Sequence, residues 1–481
     1  MLSFEPDEVK EPDEVKMKDF DLVIANGTVV TAETVCLADV GIIGEEIVAI
    51  GRGLRGRRLL DAAGCYVLPG AVDVHVHLQM PVSDGRFVSS DDFATGTVAA
   101  AHGGTTTVID FVEPKPGQSL LDALAARRAE ADSHVAIDYG LHMTIPAWHA
   151  DRSTGSRRGQ PEALAEIAAV IEAGLPTFKL YLAYRGLRLD DAQLYAVLSA
   201  LAAHRALPIV HCENGPLCDQ LRTEALAQGH AAPRYHALTR PPRQEAEAVG
   251  RALDIAALAG APLYVVHVSC AQALERLVAA QRRGQPAFGE TCPQYLALTA
   301  EMLERPGGER FVCAPPPRSE ADQAALWGAL ARGELQTIAT DHCPFTLEDK
   351  AQGTDFTQVP GGLPSIEVRL SLVHTLGVLG GHLSLSRWVQ LCCNAPARLF
   401  GLQRKGHIAP GFDADLVIFD PAREVMLSSG FLHEHVDWTP YEGLHLRGWP
   451  RVTLSRGQVI VEEGRFVGRP GRGRFVSRDL S

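Results

Sequence analysis

Short apolar runs rich in β-branched residues recur through the middle of the chain. They lie at residues 71–78, 105–112, 135–145, 177–182, 208–212, 262–269, 286–296 and 337–345. Between them, segments such as LLDALAARRAEA and PEALAEIAAVIEAG carry apolar residues at helical spacing. Eight strands alternating with helices predict an α/β fold, a (β/α)8 TIM-type barrel. An open doubly wound sheet is the alternative, but no GxGxxG follows the first strand.

Strand-and-turn patterns flank the barrel at both ends of the chain. FDLVIANGTVV and DVGIIGEEIVAIG precede it, GHIAPGFDADLVIFDP and RVTLSRGQVIVEEGRFV follow it, and the Asn26-Gly27 pair predicts a hairpin. We therefore expect a small β-sandwich built from both chain ends. The predicted division is an acidic leader with a repeated EPDEVK, disordered, at 1–16, sandwich parts at 17–68 and 404–468, the barrel at 69–403, and a basic tail at 469–481.

Composition narrows the class of protein. A hydrophobic fraction of 46% and a mean hydropathy of +0.00 are typical of a soluble globular protein. No run approaches the roughly 18 apolar residues of a membrane span, and the acidic start lacks a signal-peptide layout, so we expect a cytoplasmic protein and no membrane partner. Ten cysteines without a CxxC pair argue against a disulfide framework. A net charge of −13 without a long basic run argues against nucleic acid as a partner.

The stretch VDVHVHLQM, residues 72–80, combines a valine face with ionisable groups. Strand alternation predicts that Asp73, His75 and His77 share one face. A single buried histidine is usually a hydrogen-bonded core residue. Two on one face each need a partner, and one metal ion would satisfy both imidazoles.

Further ionisable residues stand at or near the ends of later strands, where barrel enzymes carry their chemistry. They are Lys179, His211, His267 and Asp341. Taken singly, either histidine could be a core residue and the aspartate a helix cap. Taken together, imidazoles and a carboxylate predict a zinc site.

Lys179 needs a separate explanation, because its reference pKa of about 10.4 makes lysine a cation that cannot bind metal. Beside two dications the charged form is strongly disfavoured. A neutral amine can add carbon dioxide to form a carbamate, whose two oxygens can bridge two metal ions. This chemistry accounts for a lysine among histidines.

The ligand pattern HxH, Lys, His, His, Asp resembles that of the cyclic amidohydrolases, and most of all the hydantoinases and dihydropyrimidinases. The resemblance covers nearly the whole chain after Lys18. Its motifs are PGAVDVHVHLQMP, GGTTTVIDF, FKLYLAY, VHCENG, YVVHVSCAQAL, GETCPQYL, APPPR, TDHCPF, NAPARLFGL and IAPGFDADLVIFDP.

The resemblance implies two Zn²⁺ ions per chain, with other divalent ions possible. One ion would be held by His75, His77 and Asp341, the other by His211 and His267, with a CO2-derived carbamate on Lys179 as the bridge. It also implies a metal-activated water as nucleophile and a homotetramer or homodimer.

The resemblance also assigns catalytic and substrate contacts. Asp341 would be the general base, and Tyr184 would donate to the developing oxyanion. Main-chain groups of Ala314 and Gly361 would contact the substrate, where many relatives have Ser and Asn. Gln79 departs from the family pattern, because an acidic residue is common at that position.

The implied reaction opens a small cyclic amide, a 5-substituted hydantoin or a 5,6-dihydropyrimidine, to an N-carbamoyl amino acid. Hydrolysis of allantoin or dihydroorotate is an alternative. A second alternative is a non-catalytic scaffold like the dihydropyrimidinase relatives that have lost metal ligands, but no ligand is missing from this sequence. A redox enzyme is not indicated, because no nucleotide-binding fingerprint is found.

Overall fold

The described part of the chain begins with the β-strands that precede the barrel. A computed structural model describes residues 20–82, 85–115, 117–148 and 160–480, so the predicted leader lies outside the described residues. The strands before the barrel are β1 (Phe20–Ala25), β2 (Thr28–Val30), β3 (Val35–Leu37), β4 (Asp39–Ile43), β5 (Glu46–Gly51), β6 (Gly56–Asp61) and β7 (Tyr66–Pro69).

A parallel barrel follows. Its strands are β8 (Ala71–Asp73), β11 (Thr105–Val112), β12 (Asp138–Thr144), β13 (Thr177–Tyr181), β14 (Leu207–His211), β15 (Leu263–Val265), β16 (Ala287–Thr291) and β17 (Thr337–Ile338), with a small hairpin of β9 (Pro81–Val82) and β10 (Phe87–Val88) after the first. Each strand pairs with the next in chain order. The ends meet where the amide of Asp341 donates to the carbonyl of His75 at 2.9 Å. The predicted (β/α)8 fold is confirmed.

Helices connect the barrel strands as the helical spacing predicted. They are α1 (Phe93–His102), α2 (Leu120–Ala131), α3 (Gln160–Glu172), α4 (Asp191–Ala203), α5 (Gly215–Ala227), α6 (Arg234–Leu238), α7 (Pro242–Ala259), α8 (Ala271–Arg282), α9 (Pro293–Ala297), α10 (Glu320–Arg332), α11 (Leu347–Ala351), α12 (Arg369–Leu372), α13 (Leu385–Val389) and α14 (Ala395–Leu399). Short 3-10 turns lie at Ala300–Glu304 and Gly308–Phe311, and π-helical turns at Val373–Leu379 and Gln390–Asn394. Asp92 begins α1 by accepting from the amides of Ala94 and Thr95, which satisfies donors that a helix start leaves unpaired.

Two sheets beside the barrel form the sandwich. The C-terminal strands are β18 (Leu416–Met426), β19 (His445–Ser455), β20 (Gln458–Glu462) and β21 (Arg465–Phe466). One sheet has the order β21-β20-β19-β18-β7-β2-β3 and so mixes strands from both chain ends, while the other has the order β5-β4-β1-β6. Their facing side chains share one buried core, which includes Ile24, Val40, Val67 and Ile418. The prediction of a sandwich from both chain ends is confirmed.

The hairpin predicted at Asn26-Gly27 is wrong. Asn26 does adopt the left-handed φ of 64° that such a turn favours. However, β1 pairs with β4 and β6, whereas β2 pairs with β3 and β7. The turn therefore carries the chain from one sheet to the other.

No helix in the described residues is long and apolar enough to cross a membrane.

The barrel interior explains where the ionisable side chains gather. Val72, Val74, Ile109, Phe111 and Tyr264 belong to one buried cluster inside the barrel. This apolar layer fills the lower interior, as packed barrel cores do. Polar side chains from the strand ends therefore collect above it, at the carboxyl ends of the strands.

Candidate active site

Three predicted metal ligands converge at the carboxyl end of the barrel. His75 Nε2 and His77 Nε2 lie 3.2 Å apart, and Asp341 Oδ1 lies 3.1 and 3.2 Å from them. Such separations suit three ligands at about 2.0–2.2 Å from one zinc ion. The arrangement agrees with the ligand set predicted for the first ion.

Asp73 does not share this cluster, contrary to the strand-alternation prediction. Its carboxylate accepts from the amide and the hydroxyl of Thr340, at 3.1 and 2.7 Å. The strand β8 ends at Asp73 itself, so the pleat no longer dictates the side of the residues that follow. His75 and His77 reach the same place through the loop that follows the strand.

The second predicted pair of ligands lies beside the first group. His211 Nδ1 and His267 Nε2 are 2.9 Å apart. The His267 ring centroid is 5.6 Å from that of His75, which brings the two groups together. Burial lowers the pKa values of His75, His211 and His267, so these imidazoles are neutral and can offer a lone pair.

Two of these residues have backbone conformations that are rare without glycine. His267 has a φ of 40° and Asp341 a φ of 54°. Each lies two or three residues beyond a strand end, where the ladder no longer imposes extended geometry. Left-handed residues of this kind cluster at functional sites, because only a surrounding that fixes them tolerates the strain.

Two glutamates that the sequence did not single out orient the imidazoles. Glu290 Oε1 lies 2.5 Å from His75 Nδ1, and Glu213 Oε2 lies 3.0 Å from His211 Nε2. Each carboxylate engages one ring nitrogen and leaves the other facing the centre, as outer partners of metal-bound histidines do. Glu213 is two residues after His211, and Glu290 lies on β16. Their positions near strand ends could have identified both as site residues from the sequence.

Lys179 is buried at the same level, with 1% of its surface exposed. Its Nζ lies 5.0 and 5.2 Å from the ring centroids of Phe111 and Tyr181. Burial lowers the pKa of Lys179 to about 8, although the carboxylates of Asp341 and Glu290 oppose this shift. A neutral amine is therefore accessible near neutral pH, which is the form that carbamate formation requires.

The donor set fits a pair of zinc-like ions. The available donors are neutral imidazoles, one carboxylate and a buried amine, which suit borderline-soft divalent metals. The facing imidazole nitrogens lie 3.2 and 2.9 Å apart, a spacing that ligands at about 2.0–2.2 Å from a common ion have, so the residues present fit such a metal pair.

A second group of potential ligands, away from the barrel mouth, does not have suitable geometry. It consists of His102, Glu367 and His433. The two imidazoles stack face to face, with centroids 3.5 Å apart and planes inclined by 8°. Their lone pairs therefore run parallel instead of converging on a common point, which a tetrahedral site would require.

The predicted substrate contacts border the same centre. The Tyr184 ring centroid lies 4.9 Å from that of His211, and burial raises the pKa of the Tyr184 hydroxyl, which keeps its proton for donation. Gly361 lies against the loop of Ala314, because a Cβ built on Gly361 would be 3.9 Å from Cys313 Cα. The two main-chain contacts predicted from separate loops are thus neighbours.

Lys350 ties these two loops together. Its Nζ is buried and donates to the carbonyls of Val312, Pro360 and Gly362 at 2.9, 2.7 and 2.8 Å. One side chain therefore joins Val312, two residues before Ala314, to the two residues that flank Gly361. Sequence reasoning missed this residue, since a lysine on the short helix α11 reads as a solvated charge.

Comparisons with known proteins agree with the fold and identify the family. The model of the Amidohydrolase family matches residues 66–460. A D-hydantoinase of Geobacillus stearothermophilus is 44% identical over 465 residues, which is 95% of this chain and 96% of the relative. Among solved structures, D-hydantoinase from a Bacillus sp. AR9 has a TM-score of 0.89 at 44% identity, covering 95% of this chain and 99% of the other. Dihydropyrimidinase from Brevibacillus agri has a TM-score of 0.89 at 43% identity, covering 95% and 98%.

The chain therefore belongs to the amidohydrolase family and, within it, to the hydantoinase-like cyclic amidohydrolases. The resemblance inferred from the motifs is confirmed. The comparisons leave the metal ions, the carbamate and the individual residue roles as predictions.

Proposed function

We propose that this protein hydrolyses the ring of a 5-substituted hydantoin or a 5,6-dihydropyrimidine to the N-carbamoyl amino acid. The observation that carries the proposal is the convergence of two histidine groups, Asp341 and a buried lysine at one end of the barrel. Relatives named D-hydantoinase and dihydropyrimidinase support the same ring chemistry.

We further propose that the site holds two divalent ions, with zinc the best fit to the donors. His75, His77 and Asp341 would hold one ion, His211 and His267 the other, and Lys179 as its carbamate would bridge them. When bound, such ions polarise an amide carbonyl and lower the pKa of water towards neutrality.

The side chains of Asp341 and Tyr184 would then transfer a proton and stabilise the developing negative charge. His75 and His77 keep the pKa of Asp341 below its usual value although burial opposes this, so the carboxylate is ionised and can accept a proton. The same oxygen can return that proton to the ring nitrogen that leaves. Tyr184, with its proton retained, donates to the carbonyl oxygen as negative charge develops.

The main chain at Ala314 and Gly361 would hold the –CO–NH–CO– unit of the ring. These contacts do not depend on side-chain type, so the departures from Ser and Asn leave them available. The ring is then oriented by main-chain groups in two loops, and the hydrogen bonds of Lys350 hold those loops together.

Metal content and ring hydrolysis together test the proposed function. Protein purified without chelator is expected to contain about two zinc or similar ions per chain by elemental analysis. The same preparation should hydrolyse hydantoin and dihydrouracil. A folded protein with metal content near zero and no ring hydrolysis would instead support the scaffold interpretation.

Replacing Lys350 by methionine is expected to raise KM for hydantoin about 10-fold with a smaller change in kcat, because the substrate loops lose their common tie. Steady-state kinetics and hydrogen exchange of residues 312–315 and 360–363 would measure the effect.

The matched control is Lys405→Met, since Lys405 is also buried but bonds Asp138 and Asp415 away from these loops. That variant should lose thermal stability without a change in KM. A Lys350→Met protein with the original KM would remove Lys350 from the positioning role.

A further inference from the structure

Glu113 is a charged side chain in the mouth of the barrel that the reaction outlined above does not use. It is the first residue after β11, whose residues Ile109 and Phe111 point into the barrel interior. The hydrogen bond from the Tyr181 hydroxyl, on the fourth barrel strand, places the Glu113 carboxylate on the barrel side of the chain. The side chain is partly exposed, so it borders open space there.

The contacts of Glu113 place it beside the metal ligands. The Tyr181 hydroxyl donates to Glu113 Oε1 at 3.0 Å, and the Tyr181 ring centroid lies 5.2 Å from Lys179 Nζ. The ring of Phe111, two residues earlier, stacks on His77 with centroids 4.6 Å apart. Glu113 therefore occupies the wall between the second and fourth barrel strands, above the proposed metal pair.

Among the described residues, three arginines at the barrel mouth form ion pairs with carboxylates other than Glu113. Arg127 pairs with Asp110 and Glu130, each at 2.6 Å. Arg185 and Arg188 both bind Asp219, at 3.0 and 2.9 Å. Lys179 would be an anion as its carbamate, so it would not act as a counter-ion either.

Within the described part of the chain, the Glu113 carboxylate keeps acceptor capacity for a ligand. Across the described residues, the bond from Tyr181 is its one hydrogen bond, whereas a carboxylate can accept about four. Burial raises the pKa of Glu113, and the hydrogen bond from the Tyr181 hydroxyl opposes that shift. A cation or donor arriving from the mouth would satisfy the free oxygen and favour its ionised form.

We propose that Glu113 is a specificity-determining residue that selects rings whose 5-substituent carries a positive charge or a hydrogen-bond donor. The inference rests on the proposed function, because it assumes that a ring binds over the metal ligands. The –CO–NH–CO– unit would be held by the main chain of Ala314 and Gly361, in the loops after the seventh and eighth barrel strands, so a carboxylate after the second strand would meet the substituent. Apolar substituents would leave the carboxylate desolvated, and acidic ones would be repelled.

A matched pair of substrates isolates this effect. 5-(4-Aminobutyl)hydantoin and 5-pentylhydantoin have the same substituent length and differ in the terminal ammonium. The wild-type protein is expected to favour the amine about 10-fold in kcat/KM. Glu113→Gln should reduce that preference to about 1, and Glu113→Leu should reverse it in favour of the pentyl compound.

Control variants separate a local contact from general charge effects. Glu172→Gln makes the same charge change at an exposed position on α3 and should keep the wild-type preference. Tyr181→Phe removes the hydroxyl that orients Glu113 and should weaken the preference without abolishing it. The ratio of the two substrates is the readout in every case, so a uniform loss of rate does not mimic the result.

Calorimetric titration of the same two hydantoins into metal-depleted protein measures their relative binding affinities in the absence of turnover. If the wild-type protein hydrolyses hydantoin but treats the pair equally, or if Glu113→Gln keeps the preference, the inference is overturned. Loss of metal from Glu113→Gln with an unchanged ratio would instead make Glu113 a support for the metal ligands, which also overturns it. Failure to hydrolyse any ring would contradict the proposed function, and the calorimetric ratio would still decide the role of Glu113.

Discussion

Replacing Lys179 by alanine is expected to lower kcat/KM for hydantoin by about 1,000-fold or more, which corresponds to about 4 kcal/mol of transition-state stabilisation. The expectation follows from the position of the side chain. Lys179 is buried between two aromatic rings and beside both histidine groups, so alanine leaves no atom that could bridge two ions. Elemental analysis should show a fall in bound metal together with the loss of activity, while circular dichroism shows a folded barrel.

Three comparisons make the Lys179 experiment specific. Lys179→Arg should be no more active than the alanine variant, because a guanidinium stays charged and forms no carbamate. A short carboxylic acid added to Lys179→Ala should restore part of the turnover by supplying a bridging anion. Lys115→Ala, at an exposed lysine, should behave as the wild type. Full activity of Lys179→Ala without added acid would disprove the bridging role.

Dihydroorotate is expected to be hydrolysed at least ~100-fold less well, in kcat/KM, than dihydrouracil, a difference of about 2.7 kcal/mol. Dihydroorotase-type relatives commonly place an arginine two residues after the second histidine, where it pairs with the substrate carboxylate. That position is Gln79 here, and Met80 and Pro81 follow it. An unpaired carboxylate in this pocket would lose several kcal/mol of hydration.

Two arginines near the site are already paired with a carboxylate. Arg185 and Arg188 follow the fourth barrel strand, and both are paired with Asp219 at about 3 Å, as N···O distances of 3.0 and 2.9 Å show. Recruiting either one would break an existing ion pair. Alanine at both positions should therefore leave the ratio of the two substrates unchanged. Equal kcat/KM values for dihydroorotate and dihydrouracil in the wild type would move the assignment to dihydroorotase.

Local patterns in the chain were enough to predict the barrel and to locate the residues proposed as metal ligands. Parallel strands buried on both faces must be continuous apolar runs, so each strand was visible from its own residues. Because barrel chemistry collects at the carboxyl ends of such strands, His75, His211 and Asp341 could be located by counting along each run. The order of strands also follows from chain connectivity, since consecutive parallel strands pair as neighbours.

Other features depend on which distant segments meet, and they appear only in the tertiary structure. Asn26-Gly27 makes a turn wherever it occurs, but the pairing of β1 and β2 with different sheets is decided by strands far away in the chain. Asp73 lies outside the group of His75, His77 and Asp341 because Thr340, 267 residues later, supplies its hydrogen bonds. Glu290, Lys350 and Glu113 acquire their roles in the same way. A charged side chain is recognisable in sequence, but the groups that satisfy it once it is buried are set by the packing of the whole fold.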